Sequence, residues 1–133
     1  MEGTGERGGR RRSRRQRLSR SAEFDRVYRE GRSHANRYLV VYSFPREGER
    51  DGDPRLGVSV GRKVGGAVER NRVKRLLRDA FWAIAGELPD GHDFVVVARP
   101  ESGELASREG EVGIERSLRE LLATAGLARS EAA

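Results

Sequence analysis

The sequence predicts a single α+β domain, because helical and strand periodicities alternate along a chain of 133 residues. That length suits one compact domain and is too short for two. Some segments carry apolar residues at helical spacing, and others have the alternating or continuous apolar runs of strands. The predicted order is α-β-β-α-β-α. An additional strand before the second helix is possible, because residues 33–44 could be bent or longer than one simple strand. We therefore expect a small sheet with helices packed on it.

The first half of the pattern predicts a short helix followed by two strands. The helix covers residues 21–30, where Phe24 and Tyr28 lie four positions apart on one face. Residues 37–44 are β-branched and aromatic, which indicates a strand. Residues 55–61 alternate, with apolar residues on one face and mostly small residues on the other. Two interpretations of the small face stay open: close approach of another backbone, or an exposed edge face.

A strongly amphipathic helix is predicted over residues 66–85. Its apolar stripe contains Val73, Leu76, Leu77, Ala80, Phe81 and Ile84. The opposite side is basic and has no acid between residues 70 and 78. Trp82 lies on that basic side, either as a further contact for a ligand or as a ring under a loop.

The last third of the chain predicts a strand and a helix. Residues 93–99 form a continuous apolar run, as expected for a strand covered on both faces. A turn is expected next, and then a helix over residues 108–125 that buries Leu118 and Leu122. Gly126 ends this helix.

The distribution of charge is more informative than the net charge of +6. Residues 1–20 hold eight arginines and two glutamates, and residues 55–78 hold eight basic residues and one acid, Glu69. The remaining residues are net acidic, with eleven basic and eighteen acidic residues. Such segregation favours a polyanionic partner, and arginine is suited to phosphate because its guanidinium binds it through two hydrogen bonds. Residues 1–17 are predicted to be a disordered basic tail, which is either a nonspecific electrostatic arm or an arm that orders on RNA.

Several classes of function are disfavoured by the composition. The chain has no cysteine, and its two histidines are far apart, so neither disulfides nor a spaced metal site is expected. A phosphate-loop interpretation of residues 57–66 fails, because the glycine spacing is wrong and no Ser or Thr follows Lys63. No apolar run approaches the ~20 residues of a membrane span. A soluble cytoplasmic protein without a catalytic site of its own is therefore expected.

The remaining pattern is that of a recognition surface. Arginines on one helix can contact phosphates, and rings such as Phe24, Tyr28, Tyr38 and Tyr42 can stack on bases. Phe24 could easily belong to the core, whereas the hydroxyls of Tyr38 and Tyr42 favour an edge position. The arginines could form a solvated helix face. The absence of acids between residues 70 and 78 favours binding, since solvated faces usually alternate in sign.

Four segments together resemble the protein component of bacterial ribonuclease P. They are SVGRKVGGAVERNRVKRLLRDAF, RLSRSAEFDRVYREG, ANRYLVVY and HDFVVVARP, which cover most of residues 17–100 in the family's order. The resemblance implies a two-layer α/β sandwich of about four strands and three helices, ribosomal-protein-like, with a left-handed β-α-β crossover. It assigns residues 18–128 to the RNA-binding domain and residues 129–133 to a flexible C-terminus.

The same resemblance implies the function and its residues. The chain would be the accessory subunit of an endoribonuclease that removes the 5′ leader from precursor tRNA, while a catalytic RNA with Mg²⁺ performs the reaction. No membrane and no small-molecule substrate are implied. The residues implied to bind the catalytic RNA are Arg70, Asn71, Arg72, Lys74, Arg75 and Arg78. Those implied to bind the leader are Phe24, Tyr28, Tyr42, Arg62 and Lys63.

Two glycines depart from the family pattern. Gly61 and Gly66 stand where the family often has Ser and Asn, which removes a hydroxyl from the leader surface and weakens a helix cap. The alternative function is a general RNA-binding or ribosome-associated module that has the same fold and no role in tRNA processing.

Overall fold

A computed structural model describes residues 17–18, 21–46 and 52–128. Within these ranges, three helices pack on a four-stranded sheet. The helices are α1 (Ser21–Glu30), α2 (Ala67–Ile84) and α3 (Ser102–Thr124). The strands are β1 (Arg32–Ala35), β2 (Leu39–Pro45), β3 (Arg55–Val60) and β4 (His92–Ala98). Short 3-10 turns follow β3 at Arg62–Val64 and α2 at Ala85–Glu87. The tail before Arg17 and residues 129–133 lie outside the described residues.

The sheet is mixed, with the order β1-β2-β4-β3. β2 is antiparallel to both β1 and β4, whereas β3 runs parallel to β4. The parallel pair is joined through α2, since antiparallel neighbours can be joined by a hairpin but parallel neighbours need a crossover. The predicted α+β class is confirmed, and the left-handed sense of the crossover stays a prediction.

The two faces of the sheet build two separate apolar cores. On one face, Leu39, Phe94 and Val96 pack under α2 and α3. On the other face, Val95 packs against Val27 of α1. Because β4 contributes to both cores, its continuous apolar run is explained, and the prediction of a strand covered on both faces is confirmed.

The apolar stripe of α2 is buried as predicted. The buried residues of this helix are Val73, Leu76, Leu77, Ala80, Phe81 and Ile84. Phe81 also contacts Phe94 of β4, with ring centroids 5.4 Å apart. This packing determines which side of α2 is left at the surface.

The strand predicted over residues 37–44 is observed as β2, and the bend left open within residues 33–44 occurs as a turn at Asn36 that follows β1. The side-chain oxygen of Asn36 accepts hydrogen bonds from the backbone N–H groups of Tyr38 and Leu39, both at 2.9 Å. Its side-chain nitrogen donates to the carbonyl and hydroxyl oxygens of Ser117, both at 3.1 Å. This asparagine turn separates β1 from β2 and attaches the hairpin to α3.

The predicted start of the last helix was wrong. α3 begins at Ser102 and not at residue 108, in the segment expected to be a turn. Gly110 interrupts the helical backbone with φ +63° and ψ −147°. The break shifts the phase between the buried residues Leu105 and Ile114, so a search for one continuous helical period finds only the second part.

We expect Leu77→Ala to lower the free energy of unfolding by about 2–5 kcal/mol, because a fully buried leucine leaves a cavity. Leu77 is 0% exposed, whereas Val68 on the same helix is 80% exposed. Val68→Ala is therefore the control and should change the free energy by less than about 0.5 kcal/mol. Urea unfolding of both variants measures the difference. Equal losses in the two variants would contradict the described packing of α2.

Candidate nucleic-acid interface

The side of α2 opposite its apolar stripe is a cationic surface. We define the α2 basic face as Arg70, Asn71, Lys74, Arg75 and Arg78. Asn71 and Arg75 are exposed, and the other members are half-buried. Among the described residues, no salt bridge connects a cation of this face to a carboxylate. Glu69, the acid in the first turn, instead accepts a hydrogen bond from the backbone N–H of Gly66 at 3.1 Å. The positive charge of the face is therefore available to an anionic partner.

Arg72 differs from its neighbours because it is bound to α3. Its Nη2 donates a hydrogen bond to the backbone carbonyl of Ala106 at 3.0 Å. The side chain is half-buried between the two helices. Arg72 thus holds α2 to α3, a structural contact that the sequence pattern did not reveal.

Arg17 lies beside the α2 basic face, although the sequence placed it in the tail. It forms a parallel bridge with Leu56 of β3, and the N–H of Leu18 donates to the carbonyl of Leu56 at 3.0 Å. Burial and, to a smaller extent, the positive charge of Arg17 lower the pKa of Arg78. The chain entering the domain therefore adds a cation to the same side of the molecule.

An aromatic cluster lies on the opposite face of the sheet. It consists of Phe24 and Tyr28 of α1 and Tyr42 of β2. The Tyr28 and Tyr42 rings are in an edge-on contact with centroids 4.9 Å apart, and Phe24 lies 6.4 Å from Tyr28. Tyr28 is 39% exposed, so part of its ring is accessible to a ligand. The three rings implied to bind the leader are thus brought together.

Gly57 of β3 makes room for the first of these rings. A Cβ at this position would lie 2.5 Å from Cζ of Phe24, closer than any real contact. At Gly57, the small face of β3 is therefore not approached by another backbone and is not an exposed edge face. Neither of the two interpretations describes this point of the strand. It receives an aromatic ring of α1.

The hydroxyl of Tyr28 is held at the surface of β3. Burial raises the pKa of Tyr28, and the nearby hydroxyl of Ser59, two residues beyond Gly57, offsets part of the increase. The phenol is consequently kept neutral over a wider range of pH than a free tyrosine.

Arg62 and Lys63 follow at the end of the same strand. Both belong to the 3-10 turn Arg62–Val64 and both are exposed. A Cβ on the preceding Gly61 would meet nothing within 4 Å, so this backbone is open to a ligand. The structure thus places two cations a few residues beyond Ser59, which touches the aromatic cluster.

A buried ionic cluster fixes α1 over the sheet, and the sequence analysis missed it. Asp93 of β4 is 2% exposed and accepts hydrogen bonds from Arg46 at 2.7 Å and from Arg55 at 2.8 Å. Arg55 also donates to Glu23 of α1 at 3.2 Å. We name these four residues the Asp93 cluster. It joins α1 to β3 and β4, so it sets the position of the helix that carries Phe24 and Tyr28.

Trp82 is part of the apolar packing. It is half-buried against the main core and contacts Phe81 edge-on, with centroids 4.9 Å apart. Of the two interpretations of this residue, the structure favours a ring that packs against its own domain.

Membrane spans and metal clusters are absent from the described ranges. No helix there is long and apolar enough to cross a bilayer. Likewise, within residues 17–18, 21–46 and 52–128 no group of three or more His, Cys, Asp or Glu side chains could hold a metal ion.

A cationic helix face together with an aromatic cluster on a small α+β domain is typical of RNA-binding proteins. The family model for ribonuclease P matches residues 13–126. A ribonuclease P protein component from Shouchella clausii is 41% identical over 104 residues, which cover 78% of this chain and 84% of that protein. The solved ribonuclease P protein of Staphylococcus aureus has a TM-score of 0.75 and 32% identity, covering 86% of this chain and 98% of its own. That of Thermotoga maritima has a TM-score of 0.71 and 33% identity, covering 81% of this chain and 96% of its own.

The chain belongs to the ribonuclease P protein family. Its enzyme class is that of the endoribonuclease ribonuclease P, of which these relatives are the protein component. RNA binding and tRNA processing are the functions that come with this membership.

We expect Asp93→Ala to lower the free energy of unfolding by about 3–5 kcal/mol, because it removes the buried carboxylate on which the guanidinium groups of Arg46 and Arg55 converge. The matched control is Asp79→Ala, which removes an exposed carboxylate from α2 and should change the free energy by less than about 0.5 kcal/mol. Urea unfolding compares the two. A loss for Asp93→Ala no larger than the control would contradict the described cluster.

We also expect Tyr28 to titrate above the usual tyrosine pKa of about 10. A pKa that is raised in the folded state favours the neutral phenol. The contribution of Tyr28 to stability is therefore fully present below the unfolded pKa and is lost as pH rises through the folded pKa. Ultraviolet titration of the wild type minus that of Tyr28→Phe isolates this side chain. A midpoint at or below the usual value would contradict its burial against Ser59.

Proposed function

We propose that this chain binds the catalytic RNA of ribonuclease P through the α2 basic face and the 5′ leader of precursor tRNA through the aromatic cluster. In this way it promotes endonucleolytic removal of the leader. The observation that carries the proposal is the separation of the two surfaces. The α2 basic face lies on the α2 and α3 side of the sheet, and the aromatic cluster lies on the α1 side.

The α2 basic face is suited to a structured RNA. Its cations have no carboxylate partner among the described residues, so binding an RNA phosphate does not require an existing ion pair to be broken. The buried stripe holds the helix rigidly, which lowers the entropy lost when the side chains bind. Guanidinium groups fixed on one helix can then contact successive phosphates.

The aromatic cluster is suited to a single strand. Unpaired bases can stack on the accessible part of Tyr28 and on Tyr42, and stacking tolerates any base sequence. Arg62 and Lys63 lie beyond Ser59 and can bind the phosphates that connect those bases. The open backbone at Gly61 permits a close approach there.

The catalyst in this proposal is the RNA. The chain contributes binding and orientation, and Mg²⁺ enters only as a requirement of the RNA-containing holoenzyme. The alternative, a general RNA-binding module, shares the fold and the cationic surface. What distinguishes the two is whether the protein increases leader cleavage.

The test of the function combines this protein with a bacterial ribonuclease P RNA and precursor tRNA at low Mg²⁺. We expect the protein to increase leader cleavage, because it adds binding contacts to both RNAs. Protein alone and RNA alone are the controls. Unchanged cleavage would contradict the proposal and favour the alternative, and cleavage by the protein alone would contradict the assignment of catalysis to RNA.

Substitutions in α2 separate RNA binding from packing. The double variant Arg70→Ala/Arg75→Ala should weaken binding of the catalytic RNA and lower the slope of log affinity against log salt by about 1–2, since each phosphate contact contributes about 0.7–0.9. Its thermal stability should stay near that of the wild type. Arg72→Ala should instead lower the free energy of unfolding by about 1 kcal/mol, because its hydrogen bond to Ala106 is lost. Filter binding over a salt series and urea unfolding measure the two effects. Identical behaviour of the two variants in both assays would contradict the assignment of RNA binding to Arg70 and Arg75 and of helix packing to Arg72.

A further inference from the structure

A cavity of about 230 Å³ lies between the β1–β2 turn and α3, and we define it as the turn pocket. One wall is the turn and the other is a face of α3. Among the residues that line it are Arg37, Tyr38, Leu105, Gly113, Arg116 and Glu120. Tyr38 and Leu105 also belong to the apolar core under α2 and α3, so the turn pocket lies on that side of the sheet.

The break in α3 shapes one wall of the turn pocket. In a continuous helix, the Cβ atoms of residues 109 and 113 would be about 5–6 Å apart. Here a Cβ on Gly113 would lie 2.5 Å from Cβ of Glu109, because the non-helical backbone at Gly110 carries Glu109 across the following turn. Position 113 therefore has no room for a side chain, and Glu109 is directed along the pocket wall.

The charges around the turn pocket cancel. Two cations, Arg37 and Arg116, face two carboxylates, Glu109 and Glu120. Glu109 pairs with Arg116 across the break in α3. Among the described residues, no salt bridge reaches Arg37 or Glu120, so one cation and one carboxylate are available to a ligand. Such a site favours an uncharged polar group, which can offer donors to the carboxylate and acceptors to the guanidinium.

The turn gives the pocket a flat and rigid side. Cζ of Arg37 lies 5.7 Å from the centroid of the Tyr38 ring, over which the guanidinium is placed. The backbone of the turn is held by Asn36, whose side chain is hydrogen-bonded to the N–H of Tyr38 and to Ser117 of α3. Unpaired bases stack on guanidinium planes and on aromatic rings. This side is therefore preorganised for a planar ligand.

The size and chemistry of the turn pocket fit a single nucleobase. Sites for drug-sized ligands have about 300–1,000 Å³, so a volume of about 230 Å³ suits one flat ring system. Guanine carries two neighbouring donor groups, N1–H and the 2-amino group, and the two oxygens of a carboxylate can accept from both. Its O6 and N7 are acceptors that suit a guanidinium. Glu120 and Arg37 thus match guanine.

The position of the turn pocket favours the catalytic RNA as the source of the base. The pocket and the α2 basic face lie on the same side of the sheet, whereas the aromatic cluster lies on the other. Arg99 is exposed beside the turn, and its Nη1 donates a hydrogen bond to the carbonyl of Asn36 at 3.1 Å. This cation can bind the phosphate attached to a base in the pocket.

We propose that the turn pocket binds an unpaired guanine of the catalytic RNA, with the base stacked on Arg37 and its two donor groups bound by the carboxylate of Glu120. The inference rests on the proposed function and deepens it, because it adds a base contact to an interface otherwise made with phosphates. Phosphate contacts position an RNA, and base contacts specify which nucleotide is bound. The leader is the other source of the same base.

The first experiment titrates isotope-labelled full-length protein with guanosine 5′-monophosphate. Inosine 5′-monophosphate is the matched ligand, because it lacks only the 2-amino group. We expect the guanine nucleotide to shift the amide signals of Asn36, Tyr38 and residues 113–117, and the inosine nucleotide to bind several-fold more weakly. Glu120→Gln should lose most of this preference. Glu111→Gln, which changes an exposed glutamate of α3 outside the pocket, should keep it.

The second experiment measures binding of the catalytic RNA and of a leader oligonucleotide by the same two variants. We expect Glu120→Gln to bind the catalytic RNA several-fold more weakly and the leader like the wild type. Loss of a negative charge by itself would strengthen binding of a polyanion, so this direction cannot come from net charge. Glu111→Gln should bind both RNAs at least as tightly as the wild type. A loss confined to the leader would overturn the assignment to the catalytic RNA.

The outcomes separate this inference from the proposed function. Equal binding of the two nucleotides, or shifts confined to amides outside the turn pocket, would overturn the inference. The proposed function would still stand if Arg70→Ala/Arg75→Ala weakens binding of the catalytic RNA and the wild type increases leader cleavage. A wild-type protein that neither binds the catalytic RNA nor increases cleavage would overturn the proposed function and, with it, this inference.

Discussion

The central strand β4 is hydrogen-bonded along both edges and buried on both faces, and the positions of the helices follow from this double coverage. Phe94 and Val96 point to α2 and α3, and Val95 points to α1. A strand with alternating exposure would leave one face of the sheet in water. Here each face needs a cover, so α1 is placed on one side and α2 and α3 on the other.

This coverage also decides where positive charge can remain. The packing of α2 on the sheet uses its apolar stripe, so the arginines of the opposite side are left at the surface. At the start of β4, Asp93 pairs with both Arg46 and Arg55, and the pairing of Arg55 with Glu23 holds α1 in place. Positive charge therefore persists on the α2 basic face and at Arg62 and Lys63, and is paired with carboxylates where it serves the fold. If these charges bind RNA phosphates as proposed, counterions are released, so ionic strength should govern the affinity.

The sequence predicted the features that depend on local periodicity. The stripe of α2, the bounds of α1 and the double burial of β4 were all predicted, because each follows from spacing within one segment. The resemblance to the ribonuclease P family supplied the site residues, and the structure groups Phe24, Tyr28 and Tyr42 as one cluster.

Features that depend on distant partners were not predictable in this way. A bend within residues 33–44 was left open, but its attachment to α3 depends on Ser117, which accepts hydrogen bonds from Asn36, and Arg72 serves packing because Ala106 offers a carbonyl. Similarly, Asp93 is the first residue of the predicted strand 93–99, and its structural role comes from its pairing with Arg46 and Arg55. None of these partners lies within thirty residues of the other in sequence. No periodicity in a short window could therefore have paired them.

The central claim is that two RNAs bind to opposite faces of the sheet, and amide chemical-shift mapping of the isotope-labelled protein tests it most directly. The protein is titrated separately with the catalytic RNA and with a short single-stranded leader oligonucleotide. We predict that the catalytic RNA perturbs amides of α2 between Arg70 and Arg78, and that the oligonucleotide perturbs α1, β2 and the Arg62–Val64 turn. The same set of perturbed amides for both ligands would contradict the account.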